Sequence, residues 1–164
     1  MTFSRLRPLC LPVLAACLAL AGCTPGSARA EVTPPPAPPA DVVAMCSALH
    51  GALPETVAGL DREDPEPSSD LTAAWGGAAI VLRCGVPKPL DLISDAQSTG
   101  QVEVNGVGWL IGKRRDDGSF RFVTGGRLAY VEVVVDREHA TDAGLLVAFG
   151  PAVEKSVPVG ISSY

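Results

Sequence analysis

The run VEVNGVGWLIGKRRDDGSFRFVTGGRLAYVEVVVD, residues 102–136, decides the fold. Its last part, Leu128 to Asp136, alternates. Ala129, Val131, Val133 and Val135 make one face, and Leu128, Tyr130, Glu132 and Val134 make the other. A half-buried antiparallel strand has this period of two. Phe120 to Val123 is the strand before it, joined through Thr124-Gly125-Gly126. Val102 to Ile111 reads as one strand before that. Arg115-Asp116-Asp117-Gly118 joins it onward, with glycine where a turn wants a positive φ. These three strands predict a meander.

Working outward, Ala78 to Cys84 (AAIVLRC) is a short apolar run between Gly76-Gly77 and Gly85, Pro87, and predicts a fourth strand. Asp41 is placed to cap a helix that reaches Leu49 or His50. Val42, Cys46, Leu49 and Leu53 fall on one face of it, so Cys46 points inward. Thr141 is placed to cap a last helix through Leu145, Leu146 and Phe149. Gly150-Pro151 should break or kink that helix, with another turn over Ala152 to Ser156. This order predicts one α+β domain over residues 41–164. It is a small antiparallel sheet of about four strands with an N-terminal and a C-terminal helix packed on it. Between the first helix and the sheet, Gly59 to Asp70 holds Asp61, Glu63, Asp64, Glu66 and Asp70, broken by Pro65 and Pro67. It predicts a mobile surface loop. Clustered carboxylates suit a hard cation, but the calcium-loop spacing is absent.

The first forty residues have a different character. Arg5 and Arg7 precede an uncharged stretch, Pro8 to Leu20, that is too short for a stable membrane span. Leu20-Ala21-Gly22-Cys23 follows and resembles a bacterial lipobox, in which the cysteine takes a lipid and becomes the first residue after cleavage. Residues 1–22 are therefore expected to be a lipoprotein signal peptide. Ala28-Arg29-Ala30 offers an ordinary cleavage pattern as the alternative. Residues 23–40 are expected to be the lipidated Cys23 and a disordered, Pro-rich linker, with Pro25, Pro34, Pro35, Pro36, Pro38 and Pro39. Such a linker extends as polyproline II and would reach roughly 50 Å.

Of 164 residues, 13 are basic and 18 acidic, a formal charge of −5. Removing the leader with Arg5 and Arg7 leaves 11 basic against 18 acidic side chains, or −7. That balance argues against general phosphate-backbone binding and against a nucleic-acid partner. Lys113-Arg114-Arg115 is one basic cluster. It suits anionic headgroups or wall polymers, or is simply a solvated hairpin tip neutralised by Asp116 and Asp117.

Two cysteines, Cys46 and Cys84, remain in the domain once Cys10 and Cys17 leave with the leader and Cys23 is lipidated. In an exported domain a disulfide is the first reading. A redox pair would want a C-x-x-C motif, which is absent. A Cys2His2 metal site with His50 and His139 is arithmetically open, but the spacing fits no zinc pattern. No metal or cofactor is expected. Asp136, Glu138 and His139 are the weak catalytic candidates, because a carboxylate beside a histidine can orient a general base. The alternative is a polar strand end. Neither a G-x-S-x-G elbow nor a phosphate loop is present. Trp75, Arg83, Trp109 and Arg127 are the candidate binding surface, although each tryptophan is more often core.

Several segments together carry a family resemblance. They are Cys46 with Leu53-Pro54, Ala74-Trp75-Gly76, Leu82-Arg83-Cys84-Gly85-Val86-Pro87, Asn105-Gly106-Val107-Gly108-Trp109, and Gly126-Arg127 with Tyr130-Val131-Glu132-Val133. In this order they resemble the actinobacterial lipoprotein family labelled domain of unknown function 3515, over most of Ala44 to Val157. The family label carries no activity and implies no catalytic residues. It implies an exported, membrane-tethered envelope domain, and it implies that Cys46 and Cys84 belong to the shared pattern.

The expectation is thus a lipid-anchored domain on the extracytoplasmic face of the cell membrane. It would bind or scaffold an envelope protein or cell-wall partner without catalysis. The rival expectations are an enzyme acting on wall or lipid precursors through Asp136, Glu138 and His139, and a small-molecule or metal sensor.

Overall fold

The computed structural model describes residues 29–94, 98–140 and 143–162. Its centre is an antiparallel sheet of eight strands. They are β1 (Thr56–Val57), β2 (Leu60–Glu63), β3 (Thr72–Trp75), β4 (Ile80–Cys84), β5 (Ser98–Val104), β6 (Val107–Gly112), β7 (Phe120–Gly125) and β8 (Val131–Val135). The spatial order is β1-β2-β3-β4-β8-β7-β6-β5. The expectation of a small four-strand sheet is therefore corrected. The described protein is mostly β, with three short α-helices: α1 (Ala40–Ala52), α2 (Leu90–Ile93) and α3 (Gly150–Ser156).

Each missed strand has a physical reason. The segment Val102 to Ile111 is two strands, because Asn105 and Gly106 both have positive φ, 48° and 73°. Two such residues make the tight hairpin turn whose twist matches the flanking strands, and Val104 pairs with Val107 across it. All four residues of β3 are buried, so no alternation marks it. Strand β2 carries Asp61 and Glu63 out of the supposed mobile loop and pairs with β3 at Arg62↔Trp75 and Glu63↔Ala74. Two of the remaining acids are held as well: Glu66 pairs with Arg29, and Asp70 accepts from Ser47.

Helix α1 buries Val42, Cys46 and Leu49, the stripe the sequence predicts. Asp41 lies in its first turn, and Pro39 occupies the cap position. Cys46 meets Cys84 of β4 in a disulfide with Cα atoms 5.5 Å apart. The last helical region is a 3₁₀ turn over Ala143–Ala148 followed by α3. Gly150-Pro151 starts α3 instead of breaking it, because a proline in the first turn lacks only an N–H that would go unpaired there. The predicted cap Thr141 lies outside the described residues.

Helices α1 and α3 cover one sheet face. Trp75, Ile80, Leu82, Val133, Trp109 and Phe149 are all buried in that core. Trp75 meets Phe149 edge-on at 5.3 Å, and its Nε1 donates to Pro54 O at 3.1 Å. The opposite, outer face is only partly covered. Helix α2 lies over one part, with Leu92 packed among Val86, Val123 and Tyr130. The N-terminal segment lies over another, with Ala30 and Val32 packed against Ala74. So from Arg29 on, the segment read as a linker is held to the domain, and Val32 N donates to Glu66 O at 2.9 Å.

Candidate binding face

Strand alternation sorts the outer face into rows. Register pairs place Arg83 beside Glu132, Glu132 beside Val123, Val123 beside Leu110 and Leu110 beside Gln101. In the next row Gly108 faces Gly125 on one side and Glu103 on the other. In the row on the other side Val81 faces Val134 and Val134 faces Arg121.

An ionic chain crosses these rows. Glu132 is 2% exposed. Its Oε1 accepts from Arg83 Nε at 2.8 Å and from Arg83 Nη2, and its Oε2 accepts from Arg121 Nε at 2.5 Å. Arg121 Nη1 then reaches Asp91 of α2 at 2.7 Å. Both carboxylate oxygens of Glu132 are thus satisfied, as a buried charge requires. The chain fastens α2 to the sheet, and Arg83 stays partly open to solvent.

Beside this chain is a hollow. Gly108 and Gly125 oppose each other and present no side chains, so β6 and β7 leave a cleft of about 380 Å³. Leu110, Tyr130, Gln101 and Ile93 line it. Burial pushes the Tyr130 phenol pKa up. The glycines are not forced by crowding. A Cβ on Gly108 would come no nearer than 3.9 Å to the Gly125 carbonyl oxygen, and one on Gly125 no nearer than 3.9 Å to Leu110 Cγ. The walls are apolar and a few polar groups converge, the usual chemistry of a ligand cleft.

The four residues singled out as a binding surface are not gathered together. Trp75 and Trp109 are fully buried on the helix-covered face. Trp109 Nε1 is buried without an acceptor among the described residues. Arg127 is 4% exposed and donates to Val157 O at 2.9 Å and Gly106 O at 2.7 Å. It clamps the Asn105-Gly106 turn to the C-terminal segment. Only Arg83 belongs to the outer face. The hollow was legible in principle, because glycine in a strand interior marks a close approach or a gap.

Asp136, Glu138 and His139 do come together. Asp136 Oδ1 accepts from Glu138 N at 3.0 Å, from His139 N at 2.9 Å and from His139 Nδ1 at 2.8 Å. Desolvation would raise the Asp136 pKa, but the hydrogen bonds from His139 and Glu138 and the His139 charge outweigh it and hold the carboxyl low. The carboxylate is thus occupied in shaping the turn after β8. Glu138 and His139 line a cleft of about 510 Å³ with Leu145, Val147 and Ala148, and among the described residues its lining holds no serine, threonine or cysteine. Cys23 lies outside the described residues. No group of three or more metal-ligating side chains is placed to hold an ion among the described residues. No helix among them is long and apolar enough to cross a membrane.

A family model described as a protein of unknown function (DUF3515) matches residues 8–160. No curated protein and no solved structure matches the chain.

Proposed function

The chain belongs to the DUF3515 family, and on that footing we propose that it is a lipid-anchored extracytoplasmic domain of the cell envelope that binds a partner and performs no catalysis. Cys23 in Leu20-Ala21-Gly22-Cys23 is its anchor. The observation that supports binding is the hollow between Gly108 and Gly125, held open where side chains would fit. A photo-crosslinking residue at Gln101, which lines that cleft, tests the reading in intact cells. A discrete adduct from position 101, absent from the same probe at Lys155 of α3, is the expected result. No adduct from position 101 in a folded, membrane-associated protein would refute it. Changing Cys23 to alanine should abolish processing or release the protein. Unchanged processing and retention would remove the anchor.

One observation favours a second reading. The His139–Asp136 pair beside its 510 Å³ cleft is the arrangement an acid–base enzyme would use. Replacing Asp136, Glu138 and His139 by alanine separates the two readings. A wild-type phenotype with an intact fold excludes the enzyme.

A further inference from the structure

The first described residues and helix α2 lie on the same side of the sheet. Ala30 and Val32 pack on Ala74 and Val81, outer-face neighbours in β3 and β4. Helix α2 is fixed to that face through Leu92 and the Asp91–Arg121 pair. Val81 pairs with Val134, and Val134 with Arg121. The two coverings are thus two strands apart, about 10 Å at the usual strand spacing.

Helix α2 turns Leu90 and Ile93 outward, 64% and 47% exposed, although Leu92 is buried. Basic side chains surround it. Lys88 precedes it, and Lys113 and Arg115 share a small cleft with Asp91 and Leu92. Lys88, Lys113 and Arg115 are three of the 11 basic side chains left after the leader, in a chain of formal charge −7. Among the described residues of that cleft Asp91 is the acid, and it pairs with Arg121; Asp95, Asp116 and Asp117 are neighbours in sequence.

We propose that the surface formed by Leu90, Ile93, Lys88, Lys113 and Arg115 rests on an anionic lipid bilayer, so that the α2 margin of the sheet's outer face meets the membrane. The inference rests on Cys23 being lipidated. Six Cα–Cα steps separate Cys23 from Arg29, so the covalent reach is about 20 Å at most. That is far less than a free linker running to Ala40 would allow. A short tether leaving the outer face brings α2 within reach of the headgroups. Two apolar side chains ringed by lysine and arginine are the composition that seats a short helix in that interface.

The test uses the mature protein extracted from membranes and reconstituted into phosphatidylglycerol–phosphatidylcholine vesicles with brominated acyl chains. An Ile93→Trp variant adds a third indole, since Trp75 and Trp109 are both fully buried. Emission should fall when bromines are present, by at most about a third, the share of one indole in three seated at the interface. Val147→Trp, on the helix-covered side and 49% exposed, should show no loss. Equal losses from the two variants would overturn the orientation. So would no loss from Ile93→Trp when mass spectrometry finds lipid on Cys23 and near-ultraviolet circular dichroism is unchanged. An Ile93→Trp signal lost together with a new dimer in sedimentation would give the surface to a second copy. Absence of lipid on Cys23 would overturn the anchor and the orientation with it. Equal quenching in phosphatidylcholine alone would overturn the anionic preference.

Discussion

Gly125→Ala should make the protein more stable, an unusual expectation for a substitution inside a strand facing a cleft. The backbone there has no positive φ, so an L side chain meets no conformational penalty. The new Cβ would sit 3.9 Å from Leu110 Cγ, an ordinary van der Waals distance. What remains is the lost freedom of the denatured chain, roughly 0.4–1 kcal/mol in favour of alanine. That corresponds to a rise in Tm of about 3 °C for a domain of this size. Gly108→Ala should behave alike, its Cβ no nearer than 3.9 Å to the Gly125 carbonyl oxygen. The two substitutions should not add, because the new methyls face each other across a strand pair. Thermal unfolding with the disulfide intact measures the effect. The companion measurement is the adduct from a crosslinker at position 101, which should weaken as the hollow fills. A destabilisation above about 1 kcal/mol would refute the account of free space. Greater stability with an undiminished adduct would refute the hollow as the site.

Glu132→Ala should cost about 3 kcal/mol, toward the low end for a broken buried pair because Arg83 and Arg121 keep some solvent contact; a loss below about 1 kcal/mol in urea denaturation would contradict the ionic chain. Arg127→Met should destabilise by about 2 kcal/mol through the orphaned Val157 and Gly106 carbonyls, seen as lost hydrogen-exchange protection at the Asn105-Gly106 turn. Reducing Cys46–Cys84, 38 residues apart in sequence, should cost roughly 4 kcal/mol by chain entropy, and an unchanged midpoint after reduction would count against it. Asp136 has a depressed folded pKa, so its stabilising effect is present above its unfolded value near 3.8 and lost as pH falls through the folded one. Asp136→Asn should therefore flatten the unfolding curve below about pH 4, and an unaltered acid limb would refute the assignment.

Much of the sheet's centre was legible. The alternation of Val131, Val133 and Val135 marked β8, and AAIVLRC marked β4, because half-buried and buried strands leave those two signatures. The inward stripe of α1 placed Cys46 where it meets Cys84. The outer strands were not legible for local reasons. Thr72 to Trp75 is buried on both faces and too short to show a period. Asp61 and Glu63 look like loop residues but pair in β2. Asn105-Gly106 is a strong hairpin signal, and reading through it merged β5 with β6. The binding side chains were misjudged for a different reason. Tryptophan and arginine mark interfaces and also fill cores and clamp carbonyls. Trp75, Trp109 and Arg127 do the latter.

The two faces of the sheet obey different rules. The helix-covered face is continuous apolar packing, which folding alone would favour. The outer face carries a buried carboxylate between two guanidinium groups and a facing pair of glycines. Well-packed hydrophobic residues in place of a buried ionic network are often neutral or stabilising, and alanine in place of these glycines should stabilise. Both departures from maximal stability thus fall on one face of the sheet, and they meet at β7. Stability does not account for them jointly. A face kept hollow and charged at some cost to the fold is better explained by what it must meet. The exposed Leu90 and Ile93 at its margin point the same way.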